Sequence, residues 1–240
     1  MGGVSFYKTA QDGYLARTKG GVDADRIKNS PEFQRTRENG AEFGRAGAAA
    51  KLLRQVFRAS IANTSDSRMA SRLTAEMVKV VRADTTSARG ERNVLDGETE
   101  LLRGFEFNDN GKLTRTFFAP YSPAIDRAGG TIGVSMPAFV PGNMVAAPTG
   151  ATHFRLVSAG AEINFETGEY LVNQAATPDI TFSNQQQAAI NLENLVSPGS
   201  QSPLFLIFGI EFYQQVNGQM YSLKNGAYNA LSIVGVNGGN

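Results

Sequence analysis

Few residues of this chain can do acid–base or metal chemistry, and their spacing limits what they can do. His153 is the only histidine and there is no cysteine. Disulfides and thiolate metal sites are therefore excluded, and a Ser-His-Asp triad or a zinc site would rest on a single imidazole. The residues around it, ATHFRLVSAG, alternate in polarity and predict a strand that places His153 on the face opposite Phe154 and Leu156. Asp109 and Asn110 precede Gly111 as in a calcium-binding loop, but no glutamate follows at the distance that loop requires. A β-turn is the simpler reading. Glu162, Glu166 and Glu169 surround one turn, yet glycoside hydrolysis is defined by two carboxylates at a set separation in space, which sequence spacing does not give. The stretch GRAGAAAK lacks both the glycine spacing and the preceding strand of a phosphate-binding loop. No catalytic residue, cofactor site or metal ligand set emerges, so the expectation is a protein that is not an enzyme.

Two binding chemistries do have candidates. Residues 45–92 hold 10 Lys+Arg against 4 Asp+Glu. Arg54, Arg58, Arg68, Arg72, Lys79 and Arg82 are the phosphate-contacting set that a nucleic-acid-associated protein would use. No aromatics interleave with them, and the competing reading pairs these arginines with acidic residues of a neighbouring copy, including those of the acidic second half of the chain. Tyr213, Tyr221 and Tyr228 are the aromatic candidates of a glycan-binding module, in a chain without tryptophan.

The elements that must position these residues fall into three segments. Residues 1–40 are polar, punctuated by Gly13, Gly20, Gly21 and Pro31, and read as an N-terminal arm with one helical turn at SPEFQRTREN, where Ser30 caps and Pro31 takes the first helical position. Residues 41–104 read as a basic helical hairpin. Its first helix, from Ala41 to about Ile61, stripes Phe43, Ala50, Leu53 and Phe57; its second, from about Ser65 to Arg82, stripes Met69, Leu73, Met77, Val80 and Val81, with Ser65 or Asp66 as cap. Residues 105–240 read as an antiparallel β-sandwich, jelly-roll-like, with the helices as an appendage, which makes the fold class α+β. Three hairpins are predicted there, at 105–118 around Asn110-Gly111, at 161–172 and at 210–223, and one short helix at NQQQAAINLENL, capped by Ser183. The run Leu204–Phe208 is apolar at every position and predicts a central strand covered on both faces, with Pro198 and Pro203 as stops. No stretch is long and apolar enough to span a membrane, and the opening residues lack the apolar core of a secretory leader, so a cytoplasmic setting is expected.

Charge divides the chain. Through Arg115 there are 20 Lys+Arg and 15 Asp+Glu, whereas from Thr116 onward there are 3 and 7. A soluble surface normally has about 25–35% charged residues; the last 125 positions hold only 10. Such a surface is sparingly soluble when bare and stable when covered by copies of itself. Gly44, Ala46, Gly47, Ala48, Ala49 and Ala50 sit in the first helix, where each glycine costs roughly 1 kcal/mol relative to alanine, and close backbone approach is the usual reason. Phe43, Gly44, Gly47, Ala48 and Phe57 are accordingly the subunit-interface candidates. The expected role is a self-assembling structural subunit of a homopolymeric filament, tube or particle, partnered by copies of itself; nucleic acid is the alternative partner.

At TRENGAEFGRAG, SDSRMASRLTAEMVKV and GIEFYQQVNGQMYSLKNGAYNALSIV the chain also resembles an uncharacterised family of Bacteroidota proteins of comparable length, over Tyr14 to Val236. The resemblance implies a bacterial lineage and no particular activity.

Overall fold

The structure, a computed structural model, describes residues 3–10, 12–18, 21–64 and 66–239. A two-stranded hairpin comes first, β1 (Val4–Thr9) and β2 (Gly13–Thr18), then the helices α1 (Ala24–Asn29), α2 (Gln34–Val56), α3 (Arg58–Ile61) and α4 (Met69–Arg82). The one-turn helix α5 (Leu113–Thr116) leads into β3 (Ser122–Asp126) and β4 (Thr131–Met136), and the one-turn helix α6 (Pro141–Met144) into β5 (His153–Ile163), β6 (Tyr170–Ala176) and β7 (Ile180–Thr181). The chain closes with β8 (Ile190–Leu195), β9 (Leu204–Val216), β10 (Gln219–Ser222) and β11 (Ala230–Asn237).

The larger sheet is built on β5 and β9, which pair antiparallel from His153 opposite Tyr213 to Glu162 opposite Leu204. The far edge of β9 carries β11 along one half and β10 along the other; the far edge of β5 carries β6 and β7. A second antiparallel sheet, β3-β4-β8, lies across one face. Because side chains alternate along a strand, β9 feeds two cores. Phe205 and Ile207 pack with Ala159, Ala161, Leu231 and Ile233 beneath the helices. Leu206, Phe208, Ile210 and Phe212 pack with Ile132, Val134, Met136 and Leu192 of the smaller sheet. The fold is α+β in three layers, with sandwich-like sheets, and the run Leu204–Phe208 is the doubly covered strand that its composition predicts.

The helices are the outer layer of a core and not an appendage. Ala46, Ala50, Leu53 and Phe57 of the first helical stretch and Leu73, Met77, Val80 and Val81 of α4 are buried with residues of the larger sheet. An amphipathic pair with this much apolar surface is stable only when that surface is covered. The predicted cap residue Ser65 lies outside the described residues, and α4 begins later than expected, at Met69 with Arg68 at the cap position and no side-chain cap bond; the Asp66 carboxylate accepts from Arg68 N at 2.7 Å in the turn before it. Helix α2 begins at Gln34, earlier than expected, after a 3-10 turn over Pro31–Phe33 with Pro31 in first position. Ser30 precedes that turn but makes no side-chain cap bond. The first turns of α2 are solvated, which is why they show no apolar period; Glu38 accepts there from Gln34 and Arg35, both at 2.8 Å.

Two predicted hairpins form. β5 and β6 join through a turn in which the Asn164 side chain accepts from Glu166 N and Thr167 N. β9 and β10 join through Asn217 and Gly218, both at positive φ, the mirror-image turn whose twist suits antiparallel strands. The segment 105–118 does not fold back on itself. Phe107 N donates to Leu231 O and Ile233 N to Phe105 O, so the segment lines the edge of β11. The Asn108 amide donates to Ala227 O and Asn229 O, and Gly111 packs so closely on Tyr228 O and Asn229 O that no side chain fits. NQQQAAINLENL is also not a helix: its second half is β8, paired to β4, with Leu192 and Asn194 inward. Ser183 Oγ accepts from Gln185 N in a local turn instead.

Two polar anchors fix the periphery. Asp84, buried at the end of α4, accepts from Thr86 N, Ser87 N and Asn93 N and from Thr86 Oγ1, and so shapes the loop that follows. Arg127 donates to the carbonyls of Ser200, Ser202, Asn237 and Gly238 and to the Asn237 side chain, pinning the end of β11.

Candidate functional site

Of residues 1–40, expected to form an arm, Val4–Thr9 and Gly13–Thr18 pair as a β-hairpin, and α1 and the start of α2 follow. Strict alternation puts Val4, Phe6, Lys8, Tyr14 and Ala16 on one face and Tyr7, Leu15 and Arg17 on the other. Each face holds one cation over a ring, Lys8 over Tyr14 at 5.1 Å and Arg17 over Tyr7 at 5.5 Å. Neither hydrophobic core includes a residue of this hairpin. Phe6 is 82% and Tyr14 83% exposed. An isolated two-stranded hairpin is marginal in water, and this one leaves its apolar face open to solvent.

On the body, two neighbouring features are likewise uncovered. The first is the outer edge of β6. Thr177 N donates to Leu156 O and Asn164 N to Glu169 O, and antiparallel alternation between these bonds turns the backbone of Leu171, Asn173 and Ala175 toward β5. Tyr170, Val172, Gln174 and Ala176 therefore present their N–H and C=O groups outward, where no strand among the described residues pairs with them. The sequence of β6, YLVNQAA, contains none of the lysines or prolines that usually guard such an edge. The second feature is a groove of about 590 Å³ between α2 and the turn that leads into β6, lined by Ala48, Ala49, Leu52, Val94, Leu95 and Phe165 and rimmed by Arg45, Lys51 and Glu166.

Of the interface candidates, Ala48 lines this groove, Phe43 is 60% exposed on the same helix, and Gly44 is exposed with Gly47 half-buried. Phe57 is fully buried in the molecule's own core and is corrected to a core residue. The predicted stripe is buried at Ala50, Leu53 and Phe57 but not at Phe43, and Ala46, Ala49 and Val56 join it. Close approach uses the alanines. A Cβ built on Gly44 or Gly47 would meet nothing within 4 Å.

The six cations proposed for nucleic acid are not equivalent. Arg72 is paired with Asp66 at 2.5 Å and lies over the Phe105 ring at 5.1 Å. Lys79 is paired with Glu76 at 2.7 Å. Arg54 donates to Ala50 O within its own helix. Arg58, Arg68 and Arg82 are exposed; Arg58 begins α3, while Arg68 and Arg82 stand at opposite ends of α4.

His153 lies in a strand on the face opposite Phe154 and Leu156, as expected, half-buried between Thr152 Oγ1 at 2.9 Å and Thr181 Oγ1 at 3.2 Å. Beside it a polar cluster occupies the part of the larger sheet beyond the helices. Arg155 pairs with Asp179 at 2.7 Å and lies over the Tyr213 ring at 5.2 Å. Buried Glu211 accepts from Tyr213 Oη at 2.5 Å and from the Asn63 amide at 2.6 Å. Burial and the bond to Glu211 push the Tyr213 phenol well above its usual value, so it stays protonated as a fixed donor. The cluster satisfies its own members, and Tyr213 is engaged within it. Tyr221 is 57% exposed, and Tyr228 lies beneath Lys224 at 5.1 Å. The carboxylates around the β5–β6 turn diverge in role: Glu162 accepts from Ser197 N, whereas Glu166 and Glu169 are exposed. Asp109 pairs with Lys112 at 2.8 Å.

Sequence reasoning missed the arm's strands and the open edge of β6. The alternation of Val4, Phe6, Tyr14 and Ala16 around Asp12-Gly13 is the pattern that marks the first of these.

No family model matches the chain, and no curated protein matches it. Among solved structures the chain is similar to the human F-spondin reeler domain at 12% identity, over 50% of this chain and 91% of that one, with a TM-score of 0.18. No helix among the described residues is long and apolar enough to cross a membrane.

Proposed function

We propose that the protein is a structural subunit that assembles with copies of itself into a homopolymer, with no catalytic step. The observation that supports this most directly is the N-terminal hairpin, a regular element whose Phe6 and Tyr14 are more than four-fifths exposed and which contributes to neither core of its own chain. The unguarded edge of β6 and the charge-poor second half of the chain support it as well. A donated arm and a receiving surface are different patches, so the contact is head-to-tail, the type that propagates into open filaments or tubes, or into closed rings, according to its rotation. The cytoplasmic setting expected from the sequence belongs to the same proposal, and cell fractionation checks it.

Sedimentation velocity of the native protein over a wide concentration range, with negative-stain electron microscopy of the same samples, tests the reading. Concentration-dependent polymers are expected. A single 25.7 kDa species at every concentration overturns it.

A further inference from the structure

We infer that the arm of one copy docks at a defined place on the next: β1 adds as a strand to the open edge of β6, and its Val4–Phe6 face enters the groove beside α2. This inference rests on the self-assembly reading and gives that contact its site.

The edge and the groove form one continuous surface. The turn Phe165–Gly168 walls the groove and runs into β6 at Tyr170. The side chains at alternate positions of β6 point to the helix side, since Val172 packs in the core beneath the helices and the Gln174 amide reaches Ser60 at 3.4 Å. A strand hydrogen-bonded to β6 thus has one face directed at the flank of α2, where the groove lies. Strand addition of this kind takes its affinity from main-chain bonds and its specificity from pockets for alternate side chains.

The occupant is chosen by fit. β1 is six residues long and β6 seven. The apolar face of the hairpin meets a groove whose floor is Ala48, Ala49, Leu52 and Phe165, and the small alanines leave room for the Phe6 ring. The rim is of mixed charge, with Arg45 and Lys51 on α2 and Glu166 on the turn, so the docked arm sets Lys8, on the same face as Phe6, toward Glu166 and the neighbouring Glu169 and away from α2, while β6 itself contributes no charge. Other free edges fit less well: β3 contains Pro123, β10 is four residues long, β11 is already lined by the segment 104–107, and β8, though six residues long, contributes no residue to the groove.

The chain's lack of cysteine makes a direct test clean. Two differently tagged full-length proteins, one Val4→Cys and one Ala48→Cys, are mixed and oxidised; a disulfide joining the two tags is expected, and none when Ala48→Cys is replaced by Tyr221→Cys. In parallel, Gln174→Pro removes an outward N–H that β5 does not use, at an edge position proline tolerates. It is expected to raise the half-assembly concentration about tenfold or more, as loss of a main-chain bond and of strand geometry would, with an unchanged circular dichroism spectrum. Phe6→Ser is expected to do the same. If Phe6→Ser disperses the polymers while Gln174→Pro does not and no disulfide reaches Ala48→Cys, this docking site is overturned and the assembly reading stands. Cross-linking of a Val4→Cys, Ala48→Cys double variant within single chains also overturns it, because the arm then serves its own body. If the native protein never leaves 25.7 kDa, both readings fail together.

Discussion

At the scale of single residues, polar side chains at the end of a helix or strand decide what the loops do. Burial alone would raise the Asp84 carboxyl, but the N–H groups of Ser87, Asn93 and Thr86 bond the charged form and hold it well below the usual carboxylate range. Its folded value lies below its unfolded one, so its stabilisation is present in full above the unfolded value of about 3.9 and is lost as pH falls through the folded one. Asp84→Ala should cost roughly 2–4 kcal/mol in chemical denaturation at pH 7, since it strands several buried donors. The deficit against the native chain should narrow at pH 3. An equal deficit at both values would contradict this account of the loop. Tyr213 offers the opposite case: held protonated by Glu211 and stacked under Arg155, it is tied into the sheet and is a poor platform for a sugar. Tyr213→Phe should therefore destabilise the fold, by about 1 kcal/mol for the lost bond and the acceptor it leaves, as a thermal melt would register.

At the scale of elements, what the sequence disclosed depended on how local the cause was. The turn Asn217-Gly218 and the strand at Leu204–Phe208 are legible because positive φ and a doubly apolar run are properties of adjacent residues. The misread segment 105–118 contains a strong turn dipeptide, yet Asn108 is held by carbonyls 119 and 121 positions away. Strand β8 hides its period because one of its inward residues is polar: Asn194 is buried and donates to Ser158 Oγ at 2.9 Å. On the first helical stretch the predicted stripe holds at Ala50, Leu53 and Phe57 and fails at Phe43, and the close approach expected at Gly44 and Gly47 falls instead to Ala46, Ala49 and Ala50. That correction has a measurable consequence. With open space at both positions, Gly44→Ala combined with Gly47→Ala should stabilise the chain by about 1–2 kcal/mol, at the usual helix-interior gain of roughly 1 kcal/mol each. Denaturant titration checks it; a loss would mean that something does approach that face closely.

At the scale of the whole molecule, the arm and the body are built on different principles. The body buries two cores; the arm buries neither face. A small hairpin without tertiary support opens at little free-energy cost, so its amides should exchange with solvent far faster than those of β5 and β9 in the unassembled chain and slow markedly on assembly. The candidate site was thus only partly visible in the sequence: exposed apolar residues can be guessed, but an unpaired strand edge exists only once the other strands have found their places. The body has the reverse property. Successive residues of β9 belong alternately to the two cores, so neither compartment can loosen while the other keeps its packing. Heat should accordingly melt the helices and both sheets in a single calorimetric peak, and damage to the hydrophobic interior on one side should be read out as lost order on the other.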